Sequence, residues 1–199
     1  MKDEIRQILN SEAVAIKNIP VTDNYEKVIG ILYKSIHRNG GKLIASGMGK
    51  AGQIAINIAT TFSSTGSPAV FLHPSDAQHG DLGIIQKNDV MLLVSNSGKT
   101  REILELFKLC RNLYSEIPVV VLTGNTESPL GTIADVVINT GNPDEVCPLG
   151  LTPTTSTTTM TVIGDILVVL MMKKIGFTAG DYAKRHHGGY LGAKSRENY

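Results

Sequence analysis

Apolar residues along this chain fall into short solid runs separated by helical stripes. The runs near 42–46, 68–72, 89–95, 118–123 and 135–139 are almost free of polar interruptions. Runs of that length and purity predict strands buried on both faces, as in a parallel sheet. Between them, apolar positions recur at three- and four-residue spacing and predict helices near 50–65, 100–114 and 127–133, the last very short. Two further helices are expected ahead of the first strand, at 3–18 and 23–38, the second stopped by Asn39-Gly40-Gly41. A long helix near 155–174 and a short one near 178–184 close the pattern. The alternation predicts an α/β fold: a three-layer, doubly wound, five-stranded parallel sheet in the flavodoxin-like order 2-1-3-4-5. The expectation is a single domain over 1–199, with helices in 1–40 and the sheet core in 41–199. In that order a crevice opens at the carboxyl ends of the first and third strands.

Both of those strands run into loops rich in glycine and hydroxyls. The third reaches Ser95-Asn96-Ser97-Gly98-Lys99-Thr100 and then a helical stripe at Ile103, Leu104, Leu106 and Phe107. A helix start offers unpaired N–H groups and partial positive charge, so this loop suits a phosphate. A plain Ser/Thr N-cap would leave the same trace. The first strand reaches Ser46-Gly47-Met48-Gly49-Lys50. This is neither a P-loop nor a dinucleotide fingerprint, since the next strand, ending Val70-Phe71-Leu72-His73, carries no acidic residue. Two such loops would converge on one ligand.

Charge and composition narrow the partners. A net charge of +1, no tryptophan and few aromatics give no footprint for nucleic acid or an anionic membrane. The longest apolar stretch, 166–172, is shorter than a bilayer span, and the polar start Met1-Lys2-Asp3-Glu4 is unlike a signal peptide. A cytoplasmic location is the default expectation. Cys110 and Cys147 form neither a metal spacing nor a disulfide framework. Adjacent His186 and His187 point differently, and no metal or other cofactor is expected. His37 and His73 read as structural, at a helix end and a strand end. Apolar stripes at Ile5, Ile8, Leu9 and Val14, and at Val28, Ile29, Leu32 and Ile36, exceed what the sheet faces can absorb. These stripes, with a closing segment from Tyr182 to Leu191 that ends in glycines rather than a packed element and could reach a neighbour, predict a homo-oligomer, dimer or tetramer, with His186 or His79 entering a neighbour's crevice.

Taken jointly, Ser46 to Lys50, His79-Gly80-Asp81-Leu82-Gly83, Ser95 to Gly98 and the segment from Glu145 through Thr159 resemble the sugar isomerase (SIS) family. Within it the pattern is most similar to the arabinose 5-phosphate isomerases, through His73-Pro74, Glu145-Val146-Cys147-Pro148, Leu151 to Ser156 and Arg185 to Gly192. Many members append a pair of CBS domains after the closing Leu-Gly, and a chain ending at Tyr199 is expected to lack them. The family usually reads Ser-His-Pro where this chain has Arg185-His186-His187, and often glutamate at Lys99.

The resemblance implies interconversion of D-ribulose 5-phosphate and D-arabinose 5-phosphate through an enediolate. The aldose would feed 3-deoxy-D-manno-octulosonate (Kdo) and surface polysaccharide synthesis. Such chemistry needs an acid–base pair and an oxyanion partner. The candidates are Lys50, His79, Glu102, Glu145 and His186, with Glu145 or His186 as base and His187 a stand-in for His186. The substrate-binding set is Ser46, Gly47, Ser95, Asn96, Ser97, Gly98, Thr100, Thr154 and Ser156. A small phosphosugar is the expected partner, and a nucleotide-activated octulosonate sugar could feed back in the same crevice. The competing readings are another phosphosugar isomerase and a non-catalytic phosphosugar sensor. Against the sensor, the residues before the first strand contain no basic recognition helix.

Overall fold

The computed structural model describes residues 1–197. Helix α1 spans Lys2–Lys17 and α2 spans Asn24–Leu32, whose end continues as a π-helical stretch, Tyr33–Arg38. Then follow β1 (Leu43–Gly47), α3 (Gly49–Ser64), β2 (Ala69–Phe71), α4 (Pro74–Ala77), a 3₁₀ turn (Asp81–Ile84) and β3 (Val90–Val94). The second half holds α5 (Arg101–Leu113), β4 (Val119–Thr123), α6 (Pro129–Ile133), β5 (Val136–Asn139), α7 (Thr155–Ile175), α8 (Ala179–Ala183) and α9 (Gly189–Glu197). The five strands are parallel in the order β2-β1-β3-β4-β5. β1 and β3 are therefore neighbours with their chains leaving in opposite directions, which is the expected switch point.

Side chains alternate across the sheet with a period of two. Leu43, Ala45, Leu92, Val94, Val120 and Leu122 face α2, α3 and α7. Ile44, Met91, Leu93, Val119 and Val121 face the opposite layer of α4, α5 and α6. Both faces are covered, which is why the strands read as unbroken apolar runs. Each fully buried Leu or Ile contributes roughly 1.5–3 kcal/mol. A surface pair such as Arg6–Asp3, both largely exposed, contributes about 0–1 kcal/mol, so the two apolar layers hold the fold. At the sheet's other end, buried Asp89 accepts from the Lys42 and Gln86 backbone N–H groups and from Lys42 Nζ at 2.7–2.9 Å. That clamp fixes where β1 and β3 begin.

Several expectations need correction. The stripe at Val28, Ile29, Leu32 and Ile36 is buried in the core. Of the two stripes, the one on α1 stays in solvent, with Ile5 51% and Leu9 62% exposed. The segment after Tyr182 does not end in open glycines: α9 packs on α8. Its glycines each cost about 1 kcal/mol of helix propensity, which hides the helix in the sequence. The short α4 was also unforeseen. Finally, α7 is long and apolar enough to cross a membrane by length and composition. In this fold it is a core helix, with Met160, Ile163, Leu167 and Met171 buried against the sheet layer.

Candidate active site

The chain leaves β3 at Val94 and turns through the hydroxyl loop into α5. Gly98 sits at φ +62°, a left-handed conformation that favours glycine. Ser95 Oγ and Thr100 Oγ1 share a hydrogen bond of 2.9 Å across the loop, and the Gly98 N–H donates to Ser95 Oγ at 3.2 Å. The Lys99 N–H donates to Ser97 Oγ at 3.2 Å. From below, Thr123 Oγ1 and the Gly124 N–H both donate to the Asn96 carbonyl at 3.0 Å. Thr100 occupies the N-cap position of α5, yet its side chain makes no cap bond. The plain-cap reading of this loop therefore fails. The first-turn N–H groups of α5 have no side-chain cap, and their dipole end favours an anion.

Across the switch point, β1 meets α3 backbone to backbone. A Cβ on Gly52 would come within 2.7 Å of the Gly47 carbonyl oxygen. This close approach puts Lys50, the second residue of α3, at the mouth of a cavity of about 580 Å³. Lys50, Ser95, Asn96, Ser97, Thr100 and Ser156 all line it. Gly98 lies buried behind the loop.

The other expected residues stand elsewhere. β1 runs one residue further than expected, to Gly47, and Ser46 lies within it, its hydroxyl donating to the Leu72 carbonyl at 2.6 Å. Gly47 is the strand's last residue and serves the contact with α3. Glu102 is half-buried on the first turn of α5, outside the cavity lining. His79 is exposed in the turn after α4, its N–H donating to the Asp76 carbonyl. His186 stacks on Tyr182 at 3.6 Å between ring centroids, and its Nδ1 lies 3.0 Å from the Tyr182 carbonyl. Neither histidine lines the cavity of its own chain.

Glu145 is occupied with α7. Its Oε2 accepts from the Thr154 N–H at 2.6 Å, Thr154 Oγ1 at 2.8 Å and the Ser156 N–H at 3.3 Å. Burial is the largest single influence on this carboxyl and pushes it up. The hydrogen bonds from Ser156 and Thr154 together outweigh burial and hold it below its ordinary 4.5. A carboxylate so held is a weak base and a good brace. Because the folded value is depressed, its contribution to stability is complete above the ordinary range and is lost as pH falls below 4.5. Thermal melts should therefore decline more steeply below that pH in the wild type than in Glu145→Gln. Parallel declines would remove this assignment. In the same loop, hydrogen bonds from the Thr152 hydroxyl and the backbone of Thr152, Leu149 and Leu151 pull the Cys147 thiol down to about 6. Burial pushes Cys110 up to about 12.

The cavity also uses residues that sequence reasoning missed: Lys99, Gly124, Asn125, Asn142 and Thr157. Asn142 is the one described non-glycine residue at positive φ, 48°. Its Oδ1 and the Asn96 Oδ1 both lie 2.8 Å from where a Gly124 Cβ would stand. Asn96 Oδ1 is buried without a partner. The loops after β4 and β5 share the carboxyl edge of the sheet, which was the available signal. Among the described residues no three His, Cys, Asp or Glu side chains converge to hold a metal ion.

A doubly wound sheet with an uncapped hydroxyl loop and a lysine at its switch point defines a domain whose crevice suits a small anionic ligand. The SIS domain profile matches residues 36–170, and the chain belongs to that family. It is 63% identical to a Bacteroides fragilis protein assigned as a phosphosugar isomerase involved in capsule formation, with a TM-score of 0.94 over 96% of this chain and 99% of that one. An Escherichia coli CFT073 protein solved in complex with arabinose 5-phosphate is 32% identical, with a TM-score of 0.85 over 92% of this chain and 95% of that one. Arabinose 5-phosphate isomerase KdsD of Yersinia pestis is 47% identical over 161 residues, covering 81% of this chain and 48% of that protein. The chain thus spans about half the length of the curated relatives it matches.

Proposed function

We propose that the chain is an aldose–ketose isomerase that interconverts D-ribulose 5-phosphate and D-arabinose 5-phosphate in the cytoplasm, supplying Kdo and surface polysaccharide synthesis. The observation that carries this reading is the cavity itself, where the uncapped α5 start and its hydroxyls face Lys50. Kinship to the KdsD enzymes and to the protein solved with arabinose 5-phosphate supports the choice of substrate. Ser95, Ser97, Thr100 and Ser156, with loop N–H groups, hold the phosphate. Lys50 polarises the carbonyl and stabilises the enediolate oxygen. Asn96 receives a sugar hydroxyl, and Glu102 orients the site from the first turn of α5. Of the two candidate bases, His186 fits better, because Glu145 is already braced against α7. The test is incubation with ribulose 5-phosphate in deuterium oxide. Arabinose 5-phosphate labelled at carbon 2 is the expected product. A hexose or hexulose phosphate turned over instead would move the substrate, and phosphosugar binding without turnover would favour a sensor.

The site is completed between chains. His186 and His79 lie outside their own cavity, and the apolar face of α1 is uncovered. A homo-oligomer brings a neighbour's histidine to each crevice. Co-expressing a His186→Ala chain with a Lys50→Ala chain should therefore restore part of the activity that neither parent has. A fully active monomer would overturn this. A nucleotide-activated octulosonate sugar is the proposed feedback ligand, and it should compete with ribulose 5-phosphate.

A further inference from the structure

One acidic side chain far from the cavity in sequence reaches its scaffold. Glu12 lies on α1, and its Oε1 accepts from Thr155 Oγ1 at 2.9 Å. Thr155 is the first residue of α7 and is buried. The same Thr155 oxygen accepts from the Val146 N–H at 3.2 Å. Val146 follows Glu145, whose carboxylate holds the Thr154 and Ser156 N–H groups. Ser156 lines the cavity. An unbroken chain of hydrogen bonds and adjacent residues therefore runs from α1 to the cavity wall.

The α7 start is built to need this. Its N-cap residue, Thr154, makes no side-chain cap bond of its own. Two carboxylates from other elements answer it instead: Glu145 on the backbone and Glu12 on the Thr155 hydroxyl. A carboxylate at a helix N-terminus is favoured by the dipole. Glu12 Oε2 is buried with no hydrogen-bond partner. A buried carboxylate oxygen left unpaired is costly. Simple packing of α1 does not call for such a group, since an apolar side chain there would cover α7 without that cost.

We propose that Glu12 is a positioning residue: through Thr155 it fixes the 145–154 loop, and so sets Ser156 and the Glu145 brace for phosphosugar binding. This rests on the phosphosugar reading above and adds to it a control point on the N-terminal helix. Glu12→Ala breaks the relay. The loop then loosens against α7, and an interaction shared by ground state and transition state weakens. KM for ribulose 5-phosphate should rise about tenfold while kcat changes little, the loss of one charged hydrogen bond. Glu12→Gln keeps an acceptor for Thr155 and should restore KM to within about threefold. Thr155→Val removes the middle of the relay. Because it also removes the acceptor of the Val146 N–H, Thr155→Val should cost at least as much as Glu12→Ala, and the double variant no more than Thr155→Val alone.

The experiment measures KM, kcat and melting temperature for these four variants. It also measures calorimetric affinity for arabinitol 5-phosphate, which has no carbonyl and so cannot isomerise. A loss of arabinitol 5-phosphate affinity in both Glu12→Ala and Thr155→Val, with Glu12→Gln close to the wild type, establishes the relay. A lower melting temperature with unchanged KM and affinity, or additive effects in the double variant, overturns it. If Glu12→Ala does not fold, Thr155→Val alone must raise KM, and an unchanged KM overturns the proposal. Wild-type protein that neither binds arabinitol 5-phosphate nor turns over ribulose 5-phosphate would fail the phosphosugar reading and the proposal together. Wild-type binding with indifferent variants fails the proposal alone.

Discussion

Replacing Lys50 by alanine is expected to lower turnover of ribulose 5-phosphate by about 10²–10³-fold, the usual cost of one oxyanion-stabilising group. The same change should leave the fold intact and raise its melting temperature slightly. Lys50 is exposed and forms no ion pair among the described residues. It stands on the first turn of α3, where the helix dipole disfavours a cation by about 0.3–1 kcal/mol. Stability alone would not place a lysine there. Removing it relieves that repulsion and takes away the only cation the first loop offers to a developing enediolate oxygen. Opposite signs for activity and stability are the signature of a functional charge. Turnover within a few-fold of the wild type would dismiss Lys50 from the chemistry.

The strands and their order are legible in the sequence because burial on both faces leaves no room for polar residues in β1, β3 and β4. The crevice follows from that order. The roles of single residues are harder to read, and the reasons are local. Ser46 reads as a ligand hydroxyl because it opens a Ser-Gly run, yet it lies within β1 and spends its hydroxyl on the Leu72 carbonyl. Glu145 reads as a solvated loop carboxylate because its partners, Thr154 and Ser156, lie nine and eleven residues away across an irregular loop. No periodicity reports such a closure. The relay from Glu12 spans 143 positions to Thr155, which single-sequence patterns cannot join. His79 and His186 are read by type and motif, and one chain does not bring them to its own cavity. Asn142 escapes notice because a strained asparagine after a glycine looks like any turn.

Gly98→Ala should be the most damaging single-methyl change in the hydroxyl loop from Ser95 to Thr100. At φ +62° an alanine costs about 1–2 kcal/mol in backbone strain. Its Cβ would also overlap the Ser128 hydroxyl and lie 2.6 Å from Ser128 Cβ. Ser128 cannot simply turn away, because it caps α6, its Oγ accepting from the Gly131 N–H at 3.1 Å. Overpacking of this kind costs roughly 1–3 kcal/mol more. The loop is also fastened to α6 by the Leu130 N–H, which donates to the Gly98 carbonyl at 3.1 Å. Strain at Gly98 therefore spreads to the α6 start and to the loop N–H groups that would hold phosphate. A domain with a typical stability of about 5–15 kcal/mol should still fold, with a clearly lowered melting temperature and kcat/KM down by more than tenfold. The Ser128→Gly background separates the two causes. Glycine replaces an N-cap serine at a cost of only a few tenths of a kcal/mol and removes the obstructing side chain. Gly98→Ala should then destabilise by the backbone term alone, giving a positive coupling of about 1 kcal/mol or more in the double-mutant cycle. Equal destabilisation in both backgrounds would mean that the contact with Ser128 does not shape this loop.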